Sequence, residues 1–201
     1  QASLQEIIRR YYDTMDRFIM GSCSQDEVRK IEMLMSQTGI TVHDRPVVDA
    51  ALERAEATNA PAAALELPDG HIVTGKTSSL LGASAALLRN ALKELAGIDH
   101  DCHVISPSAI EPIQKLKVDY LGSQNPRLHT DEVLIALSIS AATDRQAQKA
   151  LEQLPKLKGC QAHTSVMLSA VDINQFKKLA IQATFEPKYE KKAVFSDEKA
   201  V

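Results

Sequence analysis

Residues 70–77, "GHIVTGKT", meet the phosphate-loop pattern G-x-x-x-x-G-K-[ST] at every fixed position. Such a loop works because small, flexible residues let successive backbone N–H groups curl around phosphate oxygens. Here the intervening residues are His71, Ile72, Val73 and Thr74, three of them β-branched and suited to a pleated strand. Pro68, Asp69 and Gly70 supply a turn signal just before them. The segment is therefore expected to be the second strand of a β-hairpin.

The second half of the motif keeps some chemistry. Gly75, Lys76, Thr77, Ser78 and Ser79 stand where a strand is expected to turn into a helix starting at Ser78. Free N–H groups, three hydroxyls and one ammonium could hold an anion there. The same residues also suit a plain turn, with Gly75 permitting it and Thr77 or Ser78 capping the helix. A helix end contributes up to ~2 kcal/mol and a charge-assisted hydrogen bond roughly 1.5–3. Millimolar affinity already needs about −4 kcal/mol, so a tight ligand must touch further residues.

The run "NPRLHTDE" offers them. Arg127 could clasp a carboxylate or phosphate, and His129 with Asp131 could do acid–base work. The run also reads as a loop with good capping chemistry. The expected anion-binding set is thus Gly75, Lys76, Thr77, Ser78, Ser79, Arg127 and His129. His103 and His163 fall in expected strands, where packing or hydrogen bonding is the ordinary role. Glu111, Asp119, Asp99 and Asp101 form no metal spacing. With no C-x-x-C, no H-x-E at a helix start and no H-x-x-x-H, neither a metal nor another cofactor is expected in this chain. Cys102 and His103, adjacent on an expected strand, would point to opposite faces.

The elements that must position these residues follow from periodicity. Apolar residues at Leu4, Ile7, Ile8, Tyr11, Met15, Phe18 and Ile19 make an amphipathic helix closed by Gly21. Ser24 and Glu27 form a capping box for a second helix, which stops at Gly39. A third starts near Pro46 with Asp44 as its cap. These form an expected helical subdomain, 1–58. An α/β domain, 59–189, follows in the order β-β-α-β-α-α-α-β-α-β, with strands expected at "PAAALEL", "HIVTG", "CHVIS", "HTSVMLS" and "IQATFEP". Helices are expected over residues 78–96, around Ile113 and Tyr120, from Thr130 as cap, over 144–154 and near 174–179. The fold class is a three-layer α/β sandwich with a mixed sheet. A charged tail, 190–201, closes the chain.

Composition narrows the partners. A net charge of −3 without a basic stripe argues against nucleic acid. No apolar run is long enough to span a bilayer and no signal pattern opens the chain, so no membrane partner is expected. Three widely spaced cysteines suit a reducing cytoplasm. The chain opens at Gln1 within a helical pattern and is expected to be a fragment.

The runs "ALELPDGHIVTGKTSSLLGASAALLRNALKELAGIDHD", "SPSAIEPIQKLKVDYLGSQNPRLHTDEVLIALSIS" and "LEQLPKLKGCQAHTSVMLS" resemble the C-terminal region of a bacterial family. It is the one catalogued as domain of unknown function eighteen-forty-six, and the likeness runs from about Gln5 to Tyr189. The resemblance implies a missing N-terminal portion with its own Gly-Ser-Gly-Lys loop, and a cytidine-deaminase-like topology. Zinc deamination does not follow, because the corresponding helix starts, Lys76-Thr77-Ser78 and Ser106-Pro107-Ser108, carry no ligand. The expected function is an auxiliary α/β domain of a larger cytoplasmic bacterial protein. It would bind an anionic metabolite, nucleotide or other phosphate-bearing small molecule at a helix N-terminus. The alternative is a module without a ligand that forms a homodimer or docks the N-terminal portion. A metal-independent enzyme built on His129 and Asp131 comes third.

Overall fold

Ala62–Glu66 (β1) and Ile72–Lys76 (β2) pair antiparallel, with Ala63 opposite Gly75 and Leu65 opposite Val73. The turn between them holds Gly70 at φ +86, a conformation that costs glycine nothing. The phosphate-loop match therefore lies across a hairpin, as its β-branched residues require. The computed structural model that shows this describes residues 2–190; the part of the expected tail from residue 191 onward lies outside the described residues.

β1 also pairs antiparallel with Gln161–Thr164 (β3), which pairs parallel with Gln182–Phe185 (β4). The result is a four-stranded mixed sheet in the order β2-β1-β3-β4. Side chains alternate along β1. Ala63 and Leu65 join the main core with Leu87, Leu88, Ala136 and Leu137, while Ala64 packs on the other face with Val47 and Ala51. Helices therefore cover both faces. Ala83–Leu95 (α4) and Thr130–Ala141 (α6) lie on one side, and Pro46–Thr58 (α3) on the other. Alanines 62–64 of β1 are fully buried, and their small size lets both layers approach.

Before α3 come Ala2–Ile19 (α1) and Gln25–Thr38 (α2). The Ser24–Glu27 capping box forms in both directions at the start of α2, and Gly39 ends it in the left-handed region. Pro107–Lys115 (α5) runs into a π-helical turn, Leu116–Tyr120. Arg145–Leu151 (α7) and Ala170–Lys178 (α8) complete the set.

Several expectations need correction. No strand forms at "CHVIS": the Lys93 ammonium donates to the carbonyls of His100 (2.5 Å) and Cys102 (2.6 Å), which a strand would have offered to a neighbour. Cys102 and His103 therefore lie in an irregular segment. α4 begins at Ala83 instead of Ser78, because Ser78 Oγ accepts from Leu80 N and Leu81 N in a local turn. Leu81 then bridges Leu128 instead of entering a helix. β3 covers 161–164 rather than 163–169; its ladder ends where Ser165 N bonds Ala62 O. The N-cap of α6 is His129 and not Thr130, and the Asp44 carboxylate closes a short turn on Thr41 N (2.7 Å) instead of capping α3.

Candidate functional site

The C-terminal ends of β2, β3 and β4 share one rim of the sheet, as the pairings Lys76–Ala62, Thr164–Ala63 and Thr164–Phe185 require. There the Leu81–Leu128 bridge sets residues 78–82 beside residues 127–130, with Gly82 N donating to Leu128 O at 3.1 Å. The two runs singled out from sequence thus meet at one rim, through their backbones.

Their side chains are largely engaged within the fold. Gly75 sits in β2, and a Cβ there would come within 2.3 Å of the Leu87 backbone, so the glycine serves the close approach of α4. Lys76 and Ser79 are exposed, and Thr77 is buried with its N–H on Pro61 O. Arg127 Nη1 pairs with Glu190 at 2.9 Å. Lys117, buried in the π-helical turn, donates to Arg127 O and to Glu132 Oε2 (2.7 Å). His129 N also donates to Glu132 Oε2, at 2.7 Å.

The acid beside His129 is Asp172, not Asp131. Asp131 accepts from Glu132 N, whereas Asp172 Oδ2 lies 3.6 Å from His129 Nδ1, an ion-pair separation too long for a direct hydrogen bond. The Asp172 carboxylate raises the His129 pKa above its ordinary value. Burial opposes ionisation of Asp172, but the imidazole and the Thr130 and Ser169 donors hold its pKa below the usual range. This arrangement ties the N-termini of α6 and α8 together.

A second polar group lies under α1. Arg45 is fully buried and places its donors on Thr184 Oγ1 (3.2 Å), Gln5 Oε1 (2.9 Å), Gln161 Oε1, Ala162 O (3.0 Å) and Gln182 O (2.7 Å). Burial lowers its pKa to about 10. Next to it, His163 Nδ1 meets Thr184 Oγ1 at 2.8 Å and its Nε2 lies 3.2 Å from Glu186, which accepts from Tyr12 OH at 3.0 Å. With every donor of Arg45 matched, this network fastens β3 and β4 to the helical layer; it is a fastening and offers no open site.

The open space is elsewhere. A cavity of about 560 Å³ lies between α4 and the segment leading into α5. Buried Leu81, Val104, Ile105 and Ile110 form its apolar walls. Lys93, buried, and Arg89, half-buried, face it from successive turns of α4. Exposed Asp101 and Glu111 stand at its edge. Arg89 donates through Nε (3.2 Å) and Nη2 (3.0 Å) to Asn90 Oδ1, and Asn90 Nδ2 is anchored on Thr74 O of β2 at 2.9 Å. Burial lowers the pKa of Arg89; burial first, then the Arg89 charge, lowers that of Lys93. Neither cation has a carboxylate within ion-pair distance among the described residues. Sequence reading missed this pair because Arg89 and Lys93 look like solvent-facing positions of an amphipathic helix. Their i, i+4 spacing was the available signal.

Among the described residues no group of three or more His, Cys, Asp or Glu side chains could hold a metal ion, and no helix is long and apolar enough to cross a membrane.

The family model described as "Domain of unknown function DUF1846, C-terminal" matches residues 43–195. A UPF0371 protein of Corynebacterium urealyticum is 53% identical over 195 residues, covering 97% of this chain and 39% of the relative. A UPF0371 protein of Streptococcus thermophilus is 52% identical over 190 residues, covering 94% of this chain and 38% of the relative. The chain thus spans about two fifths of the length of these bacterial relatives.

Proposed function

This chain belongs to the DUF1846 family, C-terminal region, and we propose that it is an auxiliary α/β domain binding a small anionic metabolite in the cavity beside α4. The larger protein that it serves is proposed to be cytoplasmic. One observation carries the reading: Arg89 and Lys93 face the cavity together, partly desolvated, and among the described residues neither has a carboxylate within ion-pair distance, Asp99 and Asp101 acting on Lys93 only from farther away. A like-charge pair at i, i+4 destabilises a helix unless an anion joins it. A ligand carboxylate or phosphate accepting from both would gain charge-assisted hydrogen bonds of roughly 1.5–3 kcal/mol each. Apolar walls supply the rest of a micromolar interaction, about −8 kcal/mol. The cytidine-deaminase-like topology contributes nothing to this reading.

The sequence-derived set of Gly75, Lys76, Thr77, Ser78, Ser79, Arg127 and His129 is the competing anion site. It is favoured by the bridge that brings its two runs to one rim. A reading from another class, docking of a second copy or of the rest of a longer chain, is favoured by Ile135 and Ile139, one turn apart on α6 and 55% and 56% exposed.

Calorimetric titration with phosphate, citrate, AMP and benzoate tests the proposal. At least one should bind below millimolar, lose affinity in Arg89→Gln and Lys93→Met, and keep it in Lys76→Ala and Arg127→Ala. The reverse pattern would move the site to the rim. Binding of none of the four would remove the anion reading.

A further inference from the structure

Resting on the cavity as the anion site, we infer that its ligand class is a monocarboxylate on an apolar body, not a phosphate ester or polyanion. Donor arithmetic is the first reason. A guanidinium has five N–H groups, and Arg89 spends Nε and one Nη2 bond on Asn90. Lys93 spends two of its three on the carbonyls of His100 and Cys102. Three N–H groups of Arg89 and one of Lys93 are left, as many as the roughly four acceptor sites of one carboxylate.

A phosphoryl group has three terminal oxygens and is usually met by a nest of backbone N–H groups. No glycine lines the cavity, and the residue that opens α5 at its edge is Pro107, which has no N–H.

Charge gives the second reason. Asp101 and Glu111 stand exposed at the cavity edge. Two positive charges on Arg89 and Lys93 stand against two negative ones on Asp101 and Glu111, so a monoanion leaves less uncompensated negative charge at the cavity than a phosphate ester or polyanion does. The walls give the third reason. Leu81, Val104, Ile105 and Ile110 are 2%, 2%, 7% and 8% exposed, and a hydrated polyanion gains nothing from them. The volume of about 560 Å³ lies within the roughly 300–1,000 Å³ of small-molecule pockets, far more than acetate needs. Asn90, held by Thr74 O, positions the guanidinium before a ligand arrives.

The test follows the methyl resonances of Leu81, Val104, Ile105 and Ile110 while 3-phenylpropionate, acetate, 3-phenylpropanol, phenyl phosphate and AMP are titrated in turn. 3-Phenylpropionate should shift all four and bind at least tenfold tighter than each of the others. Arg89→Gln should weaken it at least tenfold. Glu111→Gln, which leaves the cations untouched, should improve phenyl phosphate more than 3-phenylpropionate and guards against a misfolded Arg89→Gln. Equal or tighter binding of phenyl phosphate or AMP with the same methyl shifts overturns the ligand class and leaves the anion site standing. Equal binding of the uncharged alcohol, or no methyl shift with any anion, overturns both.

Discussion

Replacing Gly75 with alanine tests what the glycine of the apparent phosphate motif is for. A Cβ at this position would lie 2.3 Å from Leu87 N, 2.7 Å from Leu87 Cα and 2.8 Å from the Ala86 carbonyl carbon. These are backbone atoms of α4, so no side chain can swing aside. Relief to an ordinary contact of about 3.5 Å needs the helix to retreat by roughly 1 Å. Leu87, Leu88, Ala91 and Leu92 of α4 are all fully buried, and such a retreat loosens each of them. Overpacking costs about 1–3 kcal/mol when neighbours can adjust, and a rigid neighbour puts Gly75→Ala near 3 kcal/mol. For a chain of this size that lowers Tm by about 6–12 °C. Exposed Lys76, replaced by alanine, should stay within about 0.5 kcal/mol of wild type. Thermal melts and urea titrations followed by circular dichroism read both. A Gly75→Ala protein as stable as wild type would refute the close approach. Loss of anion binding in Lys76→Ala would return the motif to a phosphate role.

Two further substitutions probe the polar groups. Arg45→Met strips a donor from Gln182 O and one from Ala162 O, which keeps the Thr184 hydroxyl, and at roughly 1–3 kcal/mol per unsatisfied buried group it should cost about 1–3 kcal/mol. Faster amide exchange should concentrate in β3 and β4, and unchanged exchange there would contradict the fastening role. His129, observed by NMR, should titrate above its ordinary 6.5 and fall back towards it in Asp172→Asn. Its raised pKa gives stability that is complete below about 6.5 and fades as pH rises through the folded value. The depressed pKa of Asp172 gives stability present above its ordinary 3.8 and lost as pH falls. The advantage of wild type over Asp172→Asn should therefore peak between about pH 4 and 6.5. A His129 that titrates below 6.5 would remove the basis for that window.

What could be read from sequence was whatever local rules decide. Turn chemistry at Asp69 and Gly70, the capping box of Ser24 and Glu27, and the αL stop at Gly39 all sit within a few residues of their cause. The family resemblance was legible too, in long runs of this chain. Tertiary contacts decided the rest. "CHVIS" has the short β-branched run of a strand, but a lysine ammonium nine residues upstream takes the Cys102 carbonyl. "TSSLL" has cap and helix residues, but Ser78 closes a local turn on Leu80 and Leu81, and the bridge to Leu128 keeps Leu81 out of the helix. Asp131 is the obvious neighbour of His129 in sequence, while Asp172 reaches it from another helix. Arg89 and Lys93 could not be told from solvated helix charges until the cavity beside them was seen.

A crystal structure of the chain grown with 3-bromobenzoate, with the bromine located by anomalous scattering, tests the central claim most directly. The bromine should lie among Leu81, Val104, Ile105 and Ile110, with the carboxylate within hydrogen-bond distance of Arg89 and Lys93. An empty cavity with bromine at the rim of Thr77, Arg127 and His129, or with no ordered bromine at all, would contradict it.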